Sequence, residues 1–227
     1  MSNYKAAIFD MDGTLLDSTW VWDKVDHTFS ARLGFQVRPD YYQKIAHMTT
    51  AESAVYTIEE YDLDITPEAL KVLWMDIARG YYAQEVRLKE GARTLLSELK
   101  QRGVKLGVAT SCFPDLCETG LRANGVYDYF DALVFSDEVG VGKYQPDIYL
   151  HCAGKLGAAP SDCAVFEDIY IPLKGAKSAG MGYFGVYDEA HRHLEPSFRA
   201  EADGYITSFR AFVEEGNCSK FFGPLGD

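Results

Sequence analysis

Lys5-Ala-Ala-Ile-Phe9 is a short apolar run closed by Asp10-Met-Asp-Gly-Thr14. That is the pattern of a strand buried on both faces of a parallel sheet and running into a loop. From Ser18 the rhythm changes. Val21, Val25, Phe29 and Leu33 recur every four residues, with Ser18 placed to cap the start and Gly34 to end the run, which predicts a helix. Helical patterns continue over 41–46 and 51–61 and again from Thr66-Pro67-Glu68, where Pro suits a first turn. Residues 16–85 therefore read as all-helical.

Beyond Gly91 the pattern alternates. Helices are expected over 92–102, 114–124, 148–156 and 175–179, and strands over 104–110, 132–135, 164–166 and 183–186. This spacing predicts a doubly wound parallel α/β sheet. The expected organisation is a core of residues 1–15 and 86–227 carrying an inserted all-helical cap, 16–85, with 218–227 as a tail.

Composition narrows the functional classes. At 47% hydrophobic, 14% aromatic and 25% charged residues, the chain of 227 residues has ordinary globular usage. Its 22 Lys and Arg against 34 Asp and Glu give a net charge of −12, which would repel phosphate backbones and anionic lipid headgroups, so neither a nucleic acid nor a membrane is an expected partner. Ala6 to Phe9 is too short for the apolar segment of a signal peptide, and no apolar stretch approaches the roughly 18 residues of a membrane span. The five Cys form an odd set with no CxxC pair, the usage of a cytoplasmic protein with reduced thiols.

In an open parallel sheet the ligand site lies beyond the carboxyl ends of the strands. That rule gathers Asp10 and Asp12, Thr110 and Ser111, Lys143, and Glu167 with Asp168. Carboxylates crowded in this way repel one another unless a cation intervenes, and an all-oxygen donor set suits Mg²⁺. A calcium loop of the EF-hand type is excluded, because the position that should hold its closing Glu is Trp22.

Asp10-Met-Asp-Gly-Thr14, Val108-Ala-Thr-Ser111, Lys143 with Pro146-Asp147, and Phe166-Glu-Asp168 followed by Gly175 resemble, in order, the four motifs of the haloacid dehalogenase superfamily. The helical insertion resembles the cap of its β-phosphoglucomutase-like subfamily. The resemblance implies a phosphatase that hydrolyses a small phosphorylated metabolite. Asp10 would be the nucleophile forming an aspartyl-phosphate, and Asp12 the acid and base. Thr110, the Ser111 N–H and Lys143 would hold the phosphoryl oxygens. Asp10, the Asp12 carbonyl and Asp168 would bind Mg²⁺, with Glu167 in support. An acid at Asp12 favours phosphate esters, whose alkoxide leaving groups need a proton.

Two alternatives stand beside this reading. A sugar phosphomutase is disfavoured because Trp22 and Thr50 occupy the positions where β-phosphoglucomutase carries its cap His and Arg. A catalytically silent binding protein is disfavoured by the intact motif set. Oligomeric state is not legible. His191 and His193 belong to no motif and read as surface residues.

Overall fold

β1 (Ala6–Phe9) is buried along its whole length, as four consecutive apolar residues without alternation require of a central parallel strand. The chain turns through Gly13 into β2 (Leu16–Asp17) and then enters four helices, α1 (Val21–Leu33), α2 (Tyr41–Ile45), α3 (Thr50–Tyr61) and α4 (Pro67–Gln84). It returns through β3 (Arg87–Leu88), which pairs antiparallel with β2, Leu16 opposite Leu88 and Asp17 opposite Arg87. This computed structural model describes residues 3–45, 48 and 50–223.

From there helix and strand alternate: α5 (Ala92–Gln101), β4 (Lys105–Thr110), α6 (Pro114–Ala123), β5 (Ala132–Phe135), α7 (Ser136–Val139), α8 (Asp147–Leu156) and β6 (Cys163–Glu167). The chain closes with α9 (Pro172–Ser178), β7 (Gly182–Val186), α10 (Glu195–Glu201), β8 (Gly204–Ile206), α11 (Phe209–Glu214) and α12 (Asn217–Phe222). Six strands form one parallel sheet in the order β5-β4-β1-β6-β7-β8. The expected doubly wound α/β sheet is therefore the one adopted, with β8 added at its edge.

The order reverses at β1, the switch point beside which such sheets bind their ligands. Register makes this concrete. Phe9 lies opposite Val108 on one side and Phe166 on the other, and the Asp10 N–H donates to the Phe166 carbonyl at 2.9 Å. Asp10, Thr110 and Glu167 therefore finish three adjacent strands at one rim.

One face of the sheet buries Ile8, Val134 and Val165 with Ile148, Tyr149 and Cys152 of α8 and Leu173 of α9. The other face carries an aromatic ladder. Phe9 stacks on Phe166 at 4.6 Å and Phe166 on Phe184 at 5.2 Å, because the three are register neighbours on β1, β6 and β7. Phe209 and Phe212 of α11 meet the ladder edge-on, and Phe222 of α12 stacks against Phe166 at 6.3 Å. The expected tail is thus corrected. Residues 217–222 form a helix with Cys218 and Phe222 buried, since the ladder gives an otherwise unpatterned segment an aromatic partner. Residues 224–227 of that segment lie outside the described residues.

The chain divides into two compact units, Met1–Thr19 with Val86–Asp227, and Trp20–Glu85. Residues 16–19, assigned to the helical insertion by their sequence, fall in the α/β unit because Leu16 and Asp17 pair with β3. Within the helical unit α1 and α3 pack on α4, and Phe29 meets Trp74 edge-on at 5.5 Å. Thr66 caps α4 by accepting from the Ala69 N–H, with Pro67 in the first turn. Ser18 does not cap α1, whose N-cap position is Trp20 with no side-chain cap bond. Position 46, at the end of the second expected helix, lies outside the described residues.

Candidate active site

Lys143 stands in the loop before α8 and reaches the end of β1. Its Nζ donates to Asp10 Oδ1 at 2.5 Å and to the Ala109 carbonyl at 3.4 Å, and it forms an ion pair with Glu167 Oε1. Both carboxylates are buried, Glu167 to within 1% of full burial, and the Lys143 side chain is 11% exposed. Gly175 lets this happen. A Cβ there would lie 2.3 Å from the Lys143 carbonyl, so only a residue without one allows α9 to pack against the Lys143 loop.

Burial dominates the electrostatics. It pushes the Asp10 carboxyl up to about 6, with Asp168 and Asp12 adding to the rise and Lys143 opposing it. Burial likewise holds Glu167 well above the usual carboxylate range, against the pull of Lys143. For Lys143 burial disfavours the ammonium, but Asp10 and Glu167 outweigh it and keep the group well above an ordinary lysine. Asp10, Glu167 and Asp168 bring ligand oxygens within 4.8 Å of one another. Three buried carboxylates around one ammonium leave negative charge uncompensated, and Glu167 Oε1 makes no hydrogen bond beyond its ion pair. The donors are all oxygen. This cluster fits a hard divalent cation.

The loop after β1 is folded over that cluster. Gly13 has φ +80°, and a Cβ on it would stand 2.2 Å from Asp168 Oδ2, so both conformation and space demand glycine. The Thr14 hydroxyl donates to Asp168 Oδ1 at 2.9 Å. Asp12, partly buried, accepts from the Ser18 hydroxyl at 2.5 Å. At the end of β4, buried Thr110 Oγ1 accepts from the Cys112 N–H at 3.1 Å, and Ser111 Oγ lies 2.8 Å from Ser136 Oγ.

The fold thus brings Asp10, Lys143, Glu167 and Asp168 into direct contact or ligand range. Asp12 follows on the same loop, and Thr110 and Ser111 close the adjacent strand. Glu167 does not face solvent. His191 is the residue most misjudged from sequence. Its Nδ1 lies 2.7 Å from Asp168 Oδ2, and this bond lifts the imidazole above its ordinary value. Its neighbour His193 is exposed, as expected. Thr14 was also missed, although it sits in the first motif and could have been flagged there.

Comparison with known proteins is consistent with this geometry. A family model for haloacid dehalogenase-like hydrolases matches residues 4–180. The chain is 29% identical to a phosphorylated carbohydrates phosphatase of Thermotoga maritima over 78% of its own length and 82% of that protein. It is 31% identical to hexitol phosphatase B of Escherichia coli K12, covering 78% of this chain and 80% of that one. Among solved structures, a putative β-phosphoglucomutase from Thermotoga maritima superposes with a TM-score of 0.78 at 26% identity, covering 94% of this chain and 99% of that one. With a family match across most of its length and the motif residues gathered at one rim of its sheet, the chain belongs to the haloacid dehalogenase-like hydrolases.

Proposed function

We propose that this hydrolase is a Mg²⁺-dependent phosphatase acting on a small phosphorylated metabolite through an aspartyl-phosphate at Asp10. The observation that carries the reading is Lys143, bonded to Asp10 and paired with Glu167 among three buried carboxylates. A carboxylate so placed can attack phosphorus, forming a P–O bond to Asp10 and breaking the bond to the leaving alcohol. Asp12, two positions along the same loop, gives its proton to the leaving oxygen. It then takes one from the water that hydrolyses the acyl phosphate. Lys143, the Thr110 hydroxyl and the Ser111 N–H hold the phosphoryl oxygens. Asp10, the Asp12 carbonyl and Asp168 are the residues that would hold Mg²⁺, with Glu167 behind them, and the ion supplies charge neutralisation at the phosphoryl group.

Phosphorylated sugars and sugar alcohols are the first substrates to test, since two relatives carry those names. The net charge of −12 suits a small anion held by local positive charge rather than a nucleic acid. An odd set of five Cys with no CxxC pair fits a reducing cytoplasmic setting.

The structural likeness to a putative β-phosphoglucomutase supports a second reading, a sugar phosphomutase. One assay separates them. The protein is given β-glucose 1-phosphate, Mg²⁺ and a trace of the bisphosphate, and both glucose 6-phosphate and free phosphate are followed, beside a panel of phosphorylated metabolites. Mg²⁺-dependent phosphate release is the expected result. Rapid glucose 6-phosphate formation with little free phosphate would replace the phosphatase with the mutase.

A further inference from the structure

We propose that His191 is a positioning residue for the Asp168 carboxylate, a role that rests on the reading of Asp168 as a cation ligand. Asp168 is fully buried, and its two oxygens are held separately. Thr14 donates to Oδ1 at 2.9 Å and His191 Nδ1 lies 2.7 Å from Oδ2. The final torsion of an Asp side chain is broad and roughly two-fold, so a single donor would leave the carboxylate free to swing. Two donors on opposite oxygens fix its plane. Each oxygen keeps a further lone pair for a cation. Gly13 closes the remaining side, its missing Cβ leaving room for Oδ2 at 2.2 Å.

His191 is itself held. The turn after β7 is organised by Asp188, which is 4% exposed. Its Oδ1 accepts from the Ala190 N–H at 3.0 Å and from the Thr19 hydroxyl at 3.3 Å. Its Oδ2 pairs with Lys89 at 2.7 Å, and its carbonyl accepts the His191 N–H at 3.1 Å. Asp168, Asp188 and His191 also bring ligand atoms within 4.8 Å of one another, close enough to share a cation. Lys89 already supplies the positive charge at Asp188, so the arrangement reads instead as a brace. Asp188 orders the turn, the turn presents the imidazole, and the imidazole orients Asp168.

Hydrogen-bond partners of metal ligands typically contribute 10–100-fold to metal affinity. The test uses side-chain geometry. The Asn amide nitrogen overlays the Nδ1 position of histidine, whereas Gln places its amide at the Nε2 position. Mn²⁺ binding to the full chain, measured by electron paramagnetic resonance without substrate, is compared for wild type, His191→Ala, His191→Gln and His191→Asn. The Mg²⁺ concentration for half-maximal phosphate release and the melting temperature are read beside it.

Ala and Gln should weaken Mn²⁺ about 10-fold or more, while Asn stays close to wild type, and the four melting temperatures should be similar. Should the Ala variant fail to fold, the Gln and Asn pair decides. Wild-type Mn²⁺ affinity in Ala or Gln, or an Asn variant as weak as Gln, would overturn the role. A wild-type protein that binds no Mn²⁺ would overturn the cation assignment itself, and the positioning role with it.

Discussion

Lys143 donates to Asp10 at 2.5 Å across 133 residues of chain, and the same ammonium pairs with Glu167. One cation therefore holds the proposed nucleophile while it offsets a second buried carboxylate. Lys143→Met keeps an unbranched apolar stem, one heavy atom shorter, and removes the charge. Phosphate release should fall about 10²–10³-fold, the usual cost of losing one preorganised electrostatic contact. Unchanged turnover in a phosphate-release assay would exclude Lys143 from the reaction.

Asp10→Asn substitutes an amide, a poor nucleophile and a weaker cation ligand, into the same space. Activity should fall below a few per cent of wild type, against the 10⁶-fold or larger acceleration typical of enzymes. Retention above that level, in protein whose circular dichroism is unchanged, would refute the covalent route.

In the proposed mechanism Asp12 would act on both half-reactions and be needed least when the leaving group departs without a proton. With p-nitrophenyl phosphate, Asp12→Ala should release an early burst of nitrophenolate and then turn over slowly, the later step losing about 10²–10⁴-fold. A single slow phase with no burst would argue that Asp12 does not serve water attack.

Asp10, Thr110 and Glu167 were legible because they close strands. Runs such as Val104 to Thr110 and Ala164 to Phe166 carry both the period of buried strands and the polar residue at the rim, and the sheet rule then collects them. What failed shares a different character. Ser18 has the composition of a helix cap, yet its hydroxyl is taken by Asp12. His191 depends on Asp168, 23 residues distant and on another strand end, so no local pattern could pair them. β2 and β3 are two residues each and β8 is three, too short for any periodicity to register.

Phe222 offers a stability test remote from the chemistry. It is 5% exposed and packs on Tyr4 as well as on Phe166. Phe222→Ala should cost about 3–5 kcal/mol. At about 2–4 °C per kcal/mol for a chain of this size, the melting temperature should drop by roughly 6 °C or more. A fall of less than about 2 °C would show that α12 is not docked on the ladder.

Asp26, on α1 of the helical unit, titrates far from its ordinary range. Burial pushes its carboxyl up to about 7, and Asp23 adds repulsion. Between about 4 and about 7 the folded state keeps a proton that the unfolded chain has shed, so stability contributed at this position falls as pH rises through that window. Asp26→Asn removes the titration. Relative to wild type it should melt about 2–4 °C higher at pH 8, for a gain of order 1 kcal/mol after solvent screening, and the difference should shrink toward pH 4. Parallel melting curves across pH would disprove the assignment.

The chain leaves the α/β unit beside β2 and re-enters it beside β3, and these two strands are direct partners, Asp17 opposite Arg87. A segment whose two ends are already clasped together imposes almost no closure entropy on its host. Trp20–Glu85 is thus a side branch on the polypeptide. Joining Thr19 to Val86 through a short Gly-Ser bridge asks only for a tight loop where a long excursion now stands. The parallel sheet and the residues at its rim would keep their connectivity. Seen in this way, the helical branch can be removed or exchanged without re-threading the sheet that carries the motif residues.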